Sequence, residues 1–461
     1  MSPDAAEQFL AGRINYERAA SMPSSEAAYK LDRMRELLRR LGDPHQRLPI
    51  VHIAGTKGKG STAAMIAAIG TAAGLRVGRF TSPHLNRIEE RLAIDGRVCE
   101  PETLAGLLEH LRPTIEAMDQ QGEQWSPTYF EILTAAALSW FAERRVDWAV
   151  LEVGLGGRLD STNVCRPRLS IVTSISLDHT RQLGETTAAI AAEKAGIIKP
   201  GVPVLSGVQD PEPREVIRRV ARQNNCWLLE LGEDFGFQYR PPRHLERAPA
   251  AGFLDFWGRA FGDQTSYQDV PLTLPGRHQA ANAALALAAV EMLRRQGAAI
   301  SASAVHRGLA EMSWPARIEV VGRRPVVVLD AAHNVASVAA LVESLDESFS
   351  VARRVLVFAT TQEKDLRGML ERMVGHFDHI ILTRYQENPR GVPPELLQTL
   401  VASLAARTDL PKMPTVEIAP TPNDAWSAVH RRARPDDLVC VTGSFVLAGQ
   451  MRRCIAARPL S

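Results

Sequence analysis

Apolar positions in this chain follow two alternating rhythms. Short apolar-rich runs recur: "LPIVHIAG" at 48–55, "RVGRFTS" at 76–82, "DWAVLEVG" at 147–154, "RLSIVTSI" at 168–175 and "VPVLSG" at 202–207. Runs of this length and Val/Ile/Leu content read as strands buried on both faces. Between them lie segments with helical spacing. "EAAYKLDRMRELLRRL" (26–41) puts Leu31, Met34, Leu37, Leu38 and Leu41 on one face, and "STAAMIAAIGTAAG" reads as a helix stopped by Gly74. "YFEILTAAALSWFAERR" (129–145) and "HQAANAALALAAVEMLRRQG" (278–297) are further helices. Strands alternating with helices predict an α/β fold with a parallel sheet covered on both faces.

Residues 230–274 break the rhythm with prolines, aromatics and short alternating runs, which predicts a small antiparallel appendage. After about residue 311 a second α/β series begins: "RPVVVLDA", "RRVLVFATT", "DHIILTRY" and "DLVCVTGSF". The predicted organisation is an N-terminal region 1–310, with a central portion 48–230, and a smaller C-terminal region 311–461. A length of 461 residues suits two or three cores, and no fixed-period repeat is visible.

Composition narrows the class. With 45% hydrophobic and 23% charged residues and a formal charge of +2, the chain is an ordinary globular protein. Lys and Arg are scattered, which argues against a nucleic-acid or membrane surface. Cys99, Cys165, Cys226, Cys440 and Cys454 lie far apart, without metal spacing, and read as reduced thiols of a cytoplasmic protein. The N-terminus has no basic segment followed by an apolar run, and no stretch approaches ~18 uninterrupted apolar residues.

The chemistry starts in "GTKGKGST", at the exit of a predicted strand and the start of a helix. Glycines there let backbone N–H groups converge on phosphate oxygens, a helix N-terminus adds positive potential, and a lysine adds a full charge. The Walker pattern has two glycines five apart, then Lys and Ser/Thr. Gly55 and Gly60 have that separation, but Ser61 follows Gly60 and Lys59 precedes it. A bare turn needs neither Lys59 nor so many glycines, so Gly55, Thr56, Lys57, Gly58, Lys59, Gly60, Ser61 and Thr62 are read as a variant phosphate loop. Open α/β sheets bind ligands at strand carboxyl ends. Ser82, Glu152 with Asp160, and Asp178 with His179 follow three such strands. Together a hydroxyl, a carboxylate and an imidazole suit Mg²⁺, which keeps several waters and takes few protein ligands. Singly, Ser82 reads as a helix cap, His179 as a satisfied loop histidine, and Lys194 as a solvated charge or a partner of Glu193.

Taken in order, "HIAGTKGKGST", "FTSPHLNRIEERLAIDG", "PTYFEILTAAAL", "LEVGLGGRLDSTNV", "TSISLDHTRQLGETTAAIAAEKAGIIKPG", "LPGRHQAANAALA", "WPARIEVV", "LDAAHN" and "VTGSF" resemble the folylpolyglutamate synthase and dihydrofolate synthase family of the Mur ligase superfamily. The likeness spans about residues 48–447, and the unusual loop spacing is that family's own. It implies a phosphate-loop ATPase domain followed by a smaller Rossmann-like domain. It implies an acid–amino-acid ligase that uses ATP and Mg²⁺ to add L-glutamate to a folate or to dihydropteroate through an acyl phosphate. By the same likeness Lys59, Lys194, His179 and Arg317 carry the chemistry, with Lys194 as a carbamate. The loop, Asn282, Arg317, Asp330 and His333 hold nucleotide, and Ser82, Glu152 and His179 hold the metal. Ser444 matches a nucleotide- or substrate-side position, and Asp160 is placed with the substrate. The family has glycine at 316 and 331 and proline at 335, where this chain has Ala316, Ala331 and Val335. These departures bear on loop shape and leave Arg317, Asp330 and His333 in place.

A pterin needs a partly aromatic cleft, for which Tyr129 and Phe130 are candidates, although both also suit a helix core. Glu131 reads as a helix-face charge. An acyl phosphate must be kept from water, which predicts closure of two domains over the reaction. The expected partners are small molecules, with no nucleic acid or membrane, acting on a monomer. A cell-wall Mur ligase is the first rival, but only 54 residues precede Gly55, too few for its usual extra domain. A non-catalytic phosphate-loop switch is the second, with no use for Arg317, Asp330 and His333. A purely structural α/β protein is the third.

Overall fold

The structure is a computed structural model that describes residues 1–17, 31–262, 266–386, 388–405 and 413–460. The first half is built on an eight-stranded sheet of β1 (Ile50–Ala54), β2 (Val77–Phe80), β3 (Leu92–Ile94), β4 (Arg97–Val98), β5 (Trp148–Glu152), β6 (Leu169–Val172), β7 (Val204–Ser206) and β8 (Leu228–Glu230). Their order is β4-β3-β2-β5-β1-β6-β7-β8. From β2 to β8 every pairing is parallel, and β3 and β4 are antiparallel additions at one edge. All five residues of β1 are buried, because helices cover both faces of the sheet. The helix Lys59–Ala72 is buried almost all round, which explains its Ala- and Ile-rich sequence with no polar stripe. Of the predicted helix 26–41, Leu31–Arg40 is observed, with Met34, Leu37 and Leu38 buried; residues 26–30 lie outside the described residues.

The aperiodic stretch forms a separate three-stranded sheet: β9 (Phe235–Arg240), β10 (Gly252–Gly258) and β11 (Ser266–Leu272), in the order β11-β10-β9. The C-terminal sheet comprises β12 (Glu319–Arg323), β13 (Val326–Leu329), β14 (Arg354–Phe358), β15 (His379–Leu382), β16 (Thr415–Ile418) and β17 (Leu438–Thr442), ordered β12-β13-β17-β14-β15-β16. Only β12 is antiparallel to its neighbour. Alternate residues supply two cores. Val326, Val328, Leu356, Phe358, Ile380 and Leu382 pack on one face, and Val327, Leu329, Val355, Val357 and Ile381 on the other. That two-sided burial turns the strand sequences into continuous apolar runs.

The chain divides into two compact units. One holds Met1–Gln238, Asp255–Val270 and Ala281–Met312; the other holds Tyr239–Leu254, Pro271–Ala280 and Ser313–Ser461. Among the described residues no helix is long and apolar enough to cross a membrane.

Candidate active site

In the first sheet the order β2-β5-β1-β6 sets four carboxyl ends side by side, and the connection from β1 runs to β2 on one side while that from β5 runs past β1 to β6 on the other. Such a switch point leaves a crevice for a ligand. The exit of β1 is the loop 55–58. Gly58 caps the helix Lys59–Ala72 in the left-handed conformation (φ 84°), so the helix's first N–H groups open onto the loop. A Cβ at Gly58 would lie 2.2 Å from Oδ1 of Asn282, and one at Gly55 1.9 Å from Oγ1 of Thr173. Glycine is therefore required at both places. The loop is fastened to the exit of β6: Thr56 N–H donates to Ser174 O (2.7 Å), Lys57 N–H to Ser174 Oγ (3.1 Å), and Thr173 Oγ1 to Lys57 O (2.6 Å). Gly60, Ser61 and Thr62 are buried in the first helical turn. Among the described residues Thr62 Oγ1 has no hydrogen-bond partner, although buried hydroxyls normally find one.

Glu152 ends β5. Its Oε2 accepts from Ser82 N–H at 3.0 Å, and its Oε1 lies 3.8 Å from Lys59 Nζ. Ser82, Glu152 and the loop lysine thus meet at neighbouring strand exits. Beyond β6, Lys57 Nζ donates to Asp178 Oδ2 at 2.8 Å, and Asp178 Oδ1 accepts His179 N–H at 3.0 Å. His179 takes a left-handed backbone (φ 51°) at the start of the short helix Thr180–Leu183. Lys194 is buried near the end of the helix Thr187–Ala195, not solvated, and Glu193 pairs instead with Arg158. Burial first, then the charge of Lys59, holds the Lys194 ammonium down to about 7, with Asp178 pulling the other way. Hard oxygen donors on Ser82 and Glu152 suit Mg²⁺. Among the described residues no group of three or more His, Cys, Asp and Glu is placed to hold a metal ion.

Asp160 and the aromatic pair sit at the β5 exit or behind it. Gly154 and Leu155 N–H donate to Asp160 Oδ2 (3.0 and 2.9 Å), and Thr162 donates twice to Oδ1. Four donors fill the carboxylate, so in this conformation Asp160 holds a turn and has no acceptor left for substrate. Phe130 is half-buried, 5.7 Å from the Phe80 ring, and its Cζ would meet a Cβ placed on Gly154 at 2.7 Å. Tyr129 is buried beneath the Arg91 guanidinium, 5.4 Å from the ring centroid. Glu131 is not a solvated charge. It is buried, accepts Arg33 Nε at 2.7 Å, and closes the capping box of its helix with Thr128.

The second unit carries its own polar cluster. Asp330 follows β13 and accepts N–H of Ile318 (3.0 Å) and Ala332 (2.7 Å). Burial raises its pKa and Arg317 opposes that. The Arg317 guanidinium lies 4.8 Å from the centroid of Phe445, and the His333 ring lies 6.0 Å from the same ring. His333 Nδ1 lies 2.8 Å from Ala331 O, to which it can donate. Ser444 caps the helix Phe445–Ala457. Ala316 takes the left-handed backbone (φ 54°) that glycine adopts more easily. Val335 starts a helix without proline because Asn334 and Ser337 form a capping box.

The Mur ligase middle domain matches residues 53–290, and the Mur ligase glutamate ligase domain matches 316–445. A Bacillus subtilis dihydrofolate synthase/folylpolyglutamate synthase is 36% identical over 428 residues, covering 92% of this chain and 94% of the relative. This chain belongs to the folylpolyglutamate synthase/dihydrofolate synthase family. A Mycobacterium tuberculosis folylpolyglutamate synthase complexed with ADP superposes with a TM-score of 0.85 at 32% identity, covering 98% of both chains. Escherichia coli FolC in complex with DHPP and ADP gives 0.82 at 28% identity, covering 99% of this chain and 98% of that one.

Within this family framework, several site-shaping residues escaped the sequence reading. His52 and Thr162 join Asp160. His278, half-buried and held down to about 4 by desolvation and then by Arg317, belongs with the second cluster. Phe445 underlies both Arg317 and His333. His52 sits inside a strand and reads as core, but His278 stands four residues before Asn282 on one helix, and that spacing was visible.

Proposed function

We propose that this chain is an ATP-dependent ligase that joins L-glutamate to folates, and also to dihydropteroate, through an acyl phosphate. The observation that carries this reading is the meeting of Lys59, Glu152 and Ser82 at adjacent strand exits beside a glycine-capped helix. A carboxylate is a poor acyl donor because an oxide would have to leave. Its oxygen takes the γ-phosphoryl group, the P–O bond to ADP breaks, and the carboxylate becomes an acyl phosphate. The amine of glutamate then attacks the carbonyl carbon, the tetrahedral intermediate loses inorganic phosphate, and the amine's proton leaves.

Lys59 and the N–H groups of the helix start neutralise and orient the phosphates, the main catalytic demand of phosphoryl transfer. Ser82, Glu152 and His179 are the proposed holders of Mg²⁺, which when bound supplies charge neutralisation to the triphosphate. Lys194 is the proposed carbamate lysine. Its pKa of about 7 leaves much of the amine neutral near pH 7, the form that captures carbon dioxide. Phe130 supplies an aromatic wall for the pterin, with Tyr129 behind it. Arg317, Asp330, His333 and Ser444 are proposed to serve the nucleotide and amino-acid substrates. The enzyme is proposed to act as a cytoplasmic monomer on small molecules alone.

The test is ATP-dependent incorporation of labelled glutamate, run in parallel with dihydropteroate and tetrahydrofolate, with and without chelator. Incorporation requires added divalent ion, and Lys59→Ala abolishes it in folded protein. Wild-type turnover by Lys59→Ala, or no incorporation into either acceptor, refutes the reading.

A further inference from the structure

Beneath the phosphate loop runs a buried chain of hydrogen bonds with a fixed direction. Asp160 accepts at both oxygens, so the one hydroxyl proton of Thr162 goes to Asp160 Oδ1. Thr162 Oγ1 must then accept from His52 Nε2, 2.8 Å away. His52 is neutral, since burial first and Lys199 second hold it down to about 3. With the proton on Nε2, its Nδ1 is an acceptor and faces Cys165 Sγ at 3.7 Å. The chain therefore runs from the Cys165 thiol through His52 and Thr162 to Asp160, and ends on the N–H groups of Gly154 and Leu155.

We propose that His52 and Thr162 are positioning residues for the folate acceptor: they lock Asp160, and so the Gly154–Leu155 turn, against the ring of Phe130. The inference rests on the ligase reading above. The turn follows Glu152 by two residues, and Gly154 is the residue on which Phe130 packs; Cζ lies 2.7 Å and Asp160 Oδ2 3.2 Å from where its Cβ would be. Letting Asp160 swing changes the floor under that ring. The phosphate loop is fastened separately, to Thr173 and Ser174 beyond β6. Acceptor binding and ATP binding should therefore respond differently, which a general loss of structure would not produce.

The experiment compares Thr162→Val with Thr162→Ser in the glutamate-incorporation assay, measuring KM for tetrahydrofolate and for ATP. Valine keeps the shape but neither donates to Asp160 nor accepts from His52; serine does both. The expected result is a KM for tetrahydrofolate raised about ten-fold in Thr162→Val, a KM for ATP within about two-fold of wild type, and near-complete recovery in Thr162→Ser. His52→Gln, which keeps a donor, against His52→Leu, which does not, is the second pair if the valine variant does not fold. The proposal is overturned if the donor-less variants keep both KM values, or raise both by the same factor. A wild-type protein that incorporates no glutamate would instead overturn the ligase reading.

Discussion

Arg33→Met should weaken the first unit by about 3 kcal/mol. Arg33 and Glu131 are both buried, with side-chain exposures of 9% and 5%, and their Nε–Oε2 distance is 2.7 Å. An intact buried ion pair is close to neutral against an apolar alternative, but removing one partner strands the other charge, typically at about 3–5 kcal/mol. Glu131 keeps two donors from Thr128, its N–H at 2.8 Å and its hydroxyl at 3.0 Å, which places the cost at the lower end. Methionine fills most of the arginine stem's volume, so little of the loss is cavity. At about 2 °C per kcal/mol for a unit of this size, the first thermal transition should fall by about 6 °C.

The assay is thermal unfolding by circular dichroism of wild type, Arg33→Met, Glu131→Gln and the double variant. Glutamine keeps the capping-box geometry without the charge. The double variant should regain about half of the loss, because no charge is left unpaired. A fall below about 1 °C in Arg33→Met would falsify the reasoning, as would a double variant no better than the single. The effect also reaches function: Glu131 caps the helix Tyr129–Glu143, whose first residues are Tyr129 and Phe130, so KM for the folate acceptor should rise.

The remaining predictions concern single groups. The folded Lys194 pKa of about 7 lies below its ordinary 10.5, so between those values the unfolded chain binds the extra proton and stability rises with pH. The rise attributable to this lysine is on the order of 4 kcal/mol, and Lys194→Met in bicarbonate-free buffer should flatten it; equal slopes in denaturant titrations would sink the idea. Thr62→Val removes a buried hydroxyl that has no partner among the described residues, and should leave stability unchanged or raise it by about 1 kcal/mol while weakening ATP binding by calorimetry; unaltered ATP affinity would remove that hydroxyl from the nucleotide site. Ala316→Gly relieves a left-handed alanine and should stabilise by about 0.5–1 kcal/mol, read as a higher melting temperature with unchanged kcat.

Strands and their exits were legible because apolar runs ending in glycine or polar residues admit few other readings. β1, β2, β5 and β6 all lie within the runs quoted from the sequence. Their lateral order was not legible. Nothing in the sequence says that β5 inserts between β2 and β1, yet that order brings Ser82, Glu152 and the phosphate loop together. Buried polar residues were misjudged for a related reason. Glu131 and Lys194 carry the spacing of surface charges, and only the fold, which pairs Glu131 with Arg33 and buries Lys194 within the field of Lys59 and Asp178, reveals them as interior.

The same limit explains why His52 looked like core. A strand residue facing a helix-covered side is normally apolar, and a histidine there costs desolvation unless its nitrogens are matched. The match comes from Thr162 and Cys165, more than a hundred residues away in sequence. A buried polar side chain in a central strand is therefore informative only once its partner is known. Here the partner chain ends on the turn next to Glu152. Replacing His52 with an apolar residue of similar volume would be easier on the core and harder on that turn. Its presence there is thus better explained by the geometry of the β5 exit than by the stability of the sheet.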